Sequence, residues 1–242
     1  MLDPPADGAW NMALDEALLD SASCGATAGC LRFYLWQQPT LSLGYFQHYA
    51  DRLGHSASQD CAVVRRVTGG GAILHDVELT YSLTVPVRAH VSAGLREFYD
   101  VMHGTLIDEL ASRGVPAVRC VRACDSQRPE EPFLCFQRRC DGDVLTAGYK
   151  IAGSAQRRHR GGLLQHGSVL LGRSVAAPEL PGLRELTGVA LEPHALARRW
   201  AARIADRLGV RLASETATDG EGLLARCYQR AKFGNSPWTR RR

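Results

Sequence analysis

The sequence predicts an α+β fold. Three observations carry that reading. Segments that alternate as strands do cluster in the middle of the chain, between Cys30 and Leu171. Segments with helical spacing lie before, among and after them. The strand-like segments are joined by hairpin-like connections, which argues against a purely parallel sheet. All 242 residues are expected in a single domain, 1–242, with a small helical subregion toward the C-terminus.

Trp10, Leu14 and Leu18 recur at helical spacing, with Asp7 placed to cap the first helix. "CLRFYLWQ" then alternates Leu31, Phe33 and Leu35 with Arg32, Tyr34 and Trp36, the pattern of a strand. "AVVRRVT" and "LTYSLTV" read as strands on either side of a glycine run, and in the second Leu79, Tyr81, Leu83 and Val85 share a face. Leu95, Phe98, Met102, Leu106 and Leu110 mark an amphipathic helix, with Ser92 as its cap and Gly114 as its stop. The polar, proline-broken stretch "RACDSQRPEEP", Arg122 to Pro132, reads as a loop. Strand signals return from Asp143 to Leu171, with a turn at "HRGG". Leu196, Trp200, Ile204 and Leu208 define another helix closed by Gly209, and a last helix is predicted over Leu223 to Ala231.

Hydrophobic content of 45% and charged content of 22% are ordinary for a globular protein. The longest stretch without Asp, Glu, Lys or Arg, Phe33 to Ala50, holds Gln37, Gln38, Gln47 and His48, so no membrane span is expected. The opening "MLDPPADGAW" is acidic and proline-rich, unlike a secretion signal, which points to the cytoplasm. Eight cysteines in that setting predict free thiols or a metal site rather than disulfides. A net charge of +4 is too mild to establish nucleic-acid binding but fits an acidic protein partner.

Chemistry concentrates in two places. Residues 65–76 read "RRVTGGGAILHD". No Gly-Lys-Ser/Thr follows, so this is not a phosphate-binding P-loop, and it is not the dinucleotide fingerprint. The three glycines serve either a turn that needs positive φ or the close approach of an extended ligand to bare backbone. "GYKIAGSAQRR" places one lysine, Lys150, among apolar neighbours on a strand between Gly148 and Gly153. Taken alone, such a lysine reads as an exposed strand residue with a solvated head.

The segments "NMALDEALL", "RRVTGGGAILHDVELTYSL", "GYKIAGSAQRR" with "LLQHGSVLL", and "FGNSPWTRRR" occur in this order over nearly the whole chain. In that combination the sequence resembles the lipoate–protein ligase and octanoyltransferase family, within the biotin/lipoate protein ligase superfamily. The resemblance implies a central mixed, largely antiparallel sheet flanked by helices. It also implies a narrow tunnel for an eight-carbon acyl chain, bounded by the glycine loop and the lysine strand. Substrate-binding residues implied on the loop are Arg66, Thr68, Gly69, Gly70, Gly71, Ala72 and His75. Those implied on the strand and the "LQHGS" segment are Gly153, Ser154, Ala155, His166 and Gly167. One departure stands out: relatives generally carry a strand before "DPP", and here only Met1 and Leu2 precede it, so either that edge strand is missing or the recorded start is late.

Within the family, ligases activate free lipoate with ATP and often carry a further C-terminal domain, whereas octanoyltransferases take octanoate from acyl-carrier protein. The chain ends soon after "PWTRRR", which favours a transferase. "PFLCFQRR" places Cys135 where cysteine-type octanoyltransferases keep a nucleophile in a similar "CF" pair. The implied reaction moves octanoate through a Cys135 thioester to the lysine of a lipoyl domain or glycine-cleavage H protein, with Lys150 as the second catalytic group. Thioester exchange conserves the acyl activation, so no cofactor is expected; ATP and Mg belong to the ligase alternative. Cationic neighbours that favour a thiolate are Lys150, Arg138 and Arg139. Outside the resemblance Cys135 reads first as a small buried hydrophobe, the usual fate of a free cysteine, with a lesser rival reading as one of four zinc thiolates with Cys120, Cys124 and Cys140. "RRHR" at 157–160 and "RRR" at 240–242 lack an aromatic-interleaved platform. Docking of an acidic carrier or lipoyl domain therefore explains them better than nucleic acid, and the enzyme is expected to be monomeric.

Overall fold

The computed structural model describes residues 1–87, 94–121 and 132–242, with only the backbone at 94 and 95. The proposed Ser92 cap, Cys124 and all of the Arg122–Pro132 loop except Pro132 lie outside the described residues. The elements run α1 (Gly8–Ser23), β1 (Cys30–Tyr34), β2 (Thr40–Leu43), β3 (Ala62–Arg65), β4 (Ile73–His75), β5 (Glu78–Pro86) and α2 (Gly94–Ala111). There follow β6 (Val118–Arg119), β7 (Val144–Thr146), β8 (Tyr149–His159), β9 (Gly162–Leu170), α3 (Leu183–Thr187), α4 (Pro193–Leu208), α5 (Asp219–Tyr228) and α6 (Ser236–Thr239).

The fold is α+β, as the alternation and helical spacing predict. Its main sheet has six strands in the order β1-β5-β9-β8-β7-β6, every pair antiparallel. A second, three-stranded sheet, β3-β2-β4, pairs β2 parallel to β3 and antiparallel to β4. The glycine run sits in the β3–β4 connection of this small sheet, so Arg66 to Thr68 leave the strand that the sequence extends through them. At the β1 margin of the main sheet, Leu2 and Ala6 form parallel bridges to Phe33 and Trp36, so residues ahead of α1 already lie along the edge of β1.

The helices form where their caps predict. The Asp7 carboxylate accepts from Trp10 N at 2.7 Å, satisfying a donor that the first turn leaves without an intrahelical partner. Gly209 closes α4 with φ 65°, and Gly114 turns the chain after α2 with φ 70°. The last predicted helix begins earlier than expected, because Thr218 and Glu221 form a reciprocal cap ahead of Asp219.

Both faces of the main sheet are covered, which explains the alternation along β5. Leu79, Tyr81 and Leu83 join Phe33 and the α4 residue Trp200 in one core, with ring centroids 5.0 Å apart for Tyr81–Trp200 and 5.4 Å for Phe33–Trp200. Thr80, Ser82 and Thr84 point the other way and are buried too. On that face α1 lays Met12, Leu14 and Leu18 beside Tyr34, Trp36 and Leu164. Hydroxyls here need partners within the protein, and the side chains of α1 supply one.

Candidate active site

Lys150, second residue of β8, is buried rather than solvated. Ala147 and Gly148, both at positive φ, turn the chain from β7 into β8. A β-bulge at Val144/Leu145 then shifts the register. The lysine side chain runs over Gly153, where an added Cβ would stand 2.5 Å from Lys150 Cε and 2.9 Å from Nζ. Glycine there makes room for the lysine. Nζ donates to Asp143 Oδ2 at 2.8 Å, and the same oxygen accepts from Cys140 N at 2.7 Å.

Nζ also lies 3.6 Å from Cys135 Sγ. Burial pushes Lys150 toward the neutral form, but the adjacent Cys135 and Asp143 outweigh it and the net shift is upward. Lys150 is therefore an ammonium at neutral pH, able to stabilise a thiolate or an oxyanion but not to act as a base. Cys135 is half-buried and begins a 3-10 turn, Cys135–Gln137. Arg138 and Arg139 follow this turn and lie in no strand. Arg138 instead donates Nε and Nη2 to Pro132 O, at 2.8 and 2.6 Å, and so clamps the segment that carries the cysteine.

Each of the three glycines answers a different demand. Gly70 has φ +93°, the conformation glycine adopts without strain. Gly71 packs against the cysteine segment: an added Cβ would meet Phe133 O at 3.1 Å and Cys135 N at 3.2 Å. Gly69 and Gly70 face a cavity of 330 Å³, within the range of small-molecule sites. Backbone approaches backbone at Gly71, where the sequence reading places an acyl chain. Ala72 N donates to Phe133 O at 2.9 Å and Ala72 O accepts from Cys135 N at 2.7 Å. That amide is thus not available to an oxyanion.

The cavity gathers Cys135, Lys150, Arg66, His75, Gly153, Ser154, Ala155, His166 and Gly167 with Gly69 and Gly70. Thr68, Gly71 and Ala72 do not line it. Two more voluminous hollows, of 520 and 550 Å³, hold none of these residues; side-chain chemistry rather than size picks out the site. Met12, Ile73 and Phe136 supply apolar wall.

Arg66 lies beneath the glycine loop, donating to Ser42 O at 2.8 Å, Gly69 O at 2.8 Å and Gly71 O at 2.6 Å. Burial lowers its pKa to about 10, which leaves it charged. His75 bridges Ser42 Oγ at 2.7 Å and Glu78 Oε1 at 2.6 Å and stacks on Trp36 at 3.8 Å. Burial lowers its pKa, against the opposing pull of Glu78. His166 links Thr68 Oγ1, at 2.6 Å, to Asp15 Oδ2, at 3.3 Å.

Cys140, a candidate zinc thiolate in the sequence, lines the site, as do Asp143 and Tyr99, which the sequence did not single out. Asp143 had a usable signal: folding "DVLTAGYKIAG" as a hairpin about Ala147–Gly148 brings it beside the lysine strand. Among the described residues no group of three or more His, Cys, Asp or Glu is arranged to hold a metal, and seven cysteines are free thiols. No helix among them is long and apolar enough to cross a membrane.

A model of the lipoyl protein ligase A/B catalytic domain matches residues 7–181. The chain belongs to that family. Its relatives include the octanoyltransferase LipM of Oceanobacillus iheyensis, 38% identical over 174 residues, or 71% of this chain and 63% of that protein. LipM of Geobacillus kaustophilus is 39% identical over 176 residues, 69% of this chain and 62% of that protein. The chain thus matches less than two thirds of their length. Among solved structures, the lipoyl protein ligase fold recurs in protein Ta0514 of T. acidophilum, with TM-score 0.81 and 21% identity over 100% of this chain and 98% of that one. It recurs too in a lipoate-protein ligase A bound with ATP, with TM-score 0.77 and 22% identity over 99% of this chain and 96% of that one.

Proposed function

We propose that this chain is an acyltransferase that moves an octanoyl group from acyl-carrier protein, through a thioester on Cys135, to a lysine of a lipoyl domain or glycine-cleavage H protein. The observation that carries the reading is the 3.6 Å approach of a paired, buried ammonium to a thiol on the wall of a cavity. The likeness to proteins named octanoyltransferase LipM supports the choice of acyl group. Residues 1–242 act as one catalytic domain, in the cytoplasm, where a nucleophilic thiol stays reduced.

In the first half-reaction the Cys135 thiolate attacks the octanoyl carbonyl. The carbon–sulfur bond to the carrier's pantetheine breaks, and that sulfur leaves and takes a proton. Lys150 favours the thiolate before attack. It then lies beside the carbon bound to Sγ, and hence beside the oxygen that gains charge. In the second half-reaction a neutral acceptor amine attacks the enzyme thioester, an amide forms, and the amine's proton leaves with sulfur as the Cys135 thiol. Acyl activation is kept as a thioester until the amide forms and is spent in that step, so the cycle consumes no ATP and needs no bound cofactor.

Mixing the protein with octanoyl-carrier protein and no acceptor is expected to add one octanoyl group to the intact mass, mapping to Cys135 and absent from Cys135→Ala. Acceptor modification that required ATP with free lipoate, and did not occur with octanoyl-carrier protein, would replace this reading with the ligase.

A further inference from the structure

The wall of the cavity formed by the glycine loop continues outward into a cluster of arginines and aromatic rings that the chemistry above does not use. Tyr45 N donates to Thr68 O at 2.8 Å. A Cβ on the cavity-lining Gly69 would lie 3.7 Å from the Phe46 ring, which is 64% exposed. Arg157 follows the cavity-lining Gln156 on β8 and donates to Val67 O at 2.9 Å. The C-terminal residues are drawn to the same place. Arg65 Nε donates to Thr239 O at 3.0 Å, and Tyr49 N donates to Arg242 O at 2.8 Å.

These guanidinium groups are held by rings and not by carboxylates. Arg241 Cζ stands 4.1 Å from the Tyr45 centroid and 4.7 Å from that of Trp238, and its Nη2 donates to Tyr45 Oη at 2.9 Å. Arg242 lies 5.4 Å over Phe46, and Arg157 lies 5.8 Å from Tyr45. Among the described residues, no carboxylate pairs with Arg157, Arg241 or Arg242. Their fields converge on one atom: the Arg241 hydrogen bond, then the charges of Arg241, Arg157 and Arg242, lower the pKa of the Tyr45 hydroxyl. Ordered, uncompensated positive charge around an exposed apolar ring is a surface set for an anionic partner.

The proposed reaction brings two protein substrates to this mouth, and their charges differ. The acyl donor's thioester arm is tethered through a phosphodiester, anionic at any physiological pH. The acceptor instead presents a lysine that is cationic until it loses a proton. A rim of three guanidinium groups beside the cavity mouth attracts the phosphodiester of the first and repels the ammonium that the second must bring to the same mouth. We propose that Arg157, Arg241 and Arg242, set around Tyr45 and Phe46, form the docking surface for the phosphodiester-bearing face of the donor carrier protein. The proposal rests on the transfer reading above and adds which partner docks and where.

The test compares kcat/KM for octanoyl-carrier protein, for octanoyl-pantetheine, which lacks both phosphate and protein, and for the acceptor domain. Arg157→Glu/Arg241→Glu is expected to lower the carrier value about tenfold or more, as charge reversal at a steering surface does, and to move the other two less than twofold. Arg242→Glu, whose ring contact is with exposed Phe46, should show the same pattern at smaller size. Salt should weaken the carrier reaction of the unaltered enzyme and weaken that of the double variant less. Loss confined to the acceptor would assign the surface to the other substrate and overturn the proposal. So would unchanged values for all three substrates, whether or not the unaltered protein shifts random-sequence DNA in a way the variants do not. Equal loss with octanoyl-pantetheine at unchanged Tm would overturn it as well, by making the arginines part of the acyl site. Failure of the unaltered enzyme with every thioester donor would overturn the transfer reading itself and the docking surface with it.

Discussion

Two buried ionic clusters in this molecule are built from similar parts and left in different states. In the first, the Asp15 carboxylate on α1 accepts from Arg32 at 2.8 Å, Ser82 at 2.7 Å, Tyr34 at 2.9 Å and His166 at 3.3 Å. Arg32 also donates to Asp3 at 2.6 Å and to Asn11 Oδ1 at 2.8 Å. Burial opposes the Asp15 charge, but His166 and Arg32 outweigh it, and its pKa is lowered. In the second cluster, Asp143 compensates Lys150, and Lys150 reaches a sulfur on the cavity wall. The first cluster has each carboxylate oxygen filled twice and locks α1 to the sheet. The second leaves its thiol facing space. A saturated network stabilises a fold, whereas one with an open position is ready to accept a reacting atom.

Removing one partner from the saturated cluster should have the largest effect. Asp15→Ala leaves the buried Arg32 guanidinium with Asp3 as its remaining counter-charge and takes the acceptor from Ser82, Tyr34 and His166, at a cost of about 3–5 kcal/mol, or on the order of 10 °C in Tm for a chain of this size. Activity per folded molecule is expected to change less than tenfold. Thermal melts with active-site titration decide it, and a selective loss of turnover at unchanged Tm would make Asp15 part of the chemistry.

The next effect in size divides the second cluster. Lys150→Ala should lower turnover by about 10²–10³ and also lower Tm, because Asp143 is left buried and unpaired. Adding Asp143→Ala should restore most of the Tm and none of the rate. A double variant that regained both would show that Lys150 acts only as a structural counter-charge.

The smallest effect is a difference in pH window. The pKa of Asp15 is lowered from 3.8. Its contribution to stability is therefore present above that value and lost as pH falls through the folded pKa. Lys150 is raised from 10.5, so its contribution is present below that value and lost as pH rises through the folded pKa. Acid should thus weaken the first cluster and alkali the second, at roughly 2–4 °C for each kcal/mol lost. Melts of Asp15→Asn should flatten only the acid limb, and melts of the Lys150→Ala/Asp143→Ala protein only the alkaline one. The reverse assignment would break the comparison.

How much of this was legible before folding depends on the range of the cause. The cap at Asp7, the stop at Gly209 and the alternation from Leu79 to Val85 follow from neighbours a few residues away. Gly70 was half legible, since one turn in a glycine run is expected, but nothing local separates it from Gly71, whose constraint is the backbone of Phe133 and Cys135. Arg138 is a similar case: it follows the 3-10 turn Cys135–Gln137 and clamps Pro132 O, a contact that its neighbours in sequence do not announce. Asp143 takes its value from the hairpin about Ala147–Gly148, which sets it beside Lys150. The "RRR" run reads in the sequence as docking charge without an aromatic platform, since Tyr45, Phe46 and Trp238 meet it only in space.

By itself the sequence determined the element types, the hairpin-rich sheet and the residues able to do chemistry, because periodicity and capping record free energies that act over one or two turns. Tertiary structure decided which groups became charged partners. Cys135 and Lys150 are separated by 15 residues, Asp15 and His166 by 151, and Arg65 and Thr239 by 174. Charges and hydrogen bonds gain their strength when water is excluded from both partners together, and that exclusion depends on the paired sheets and packed helices as a whole.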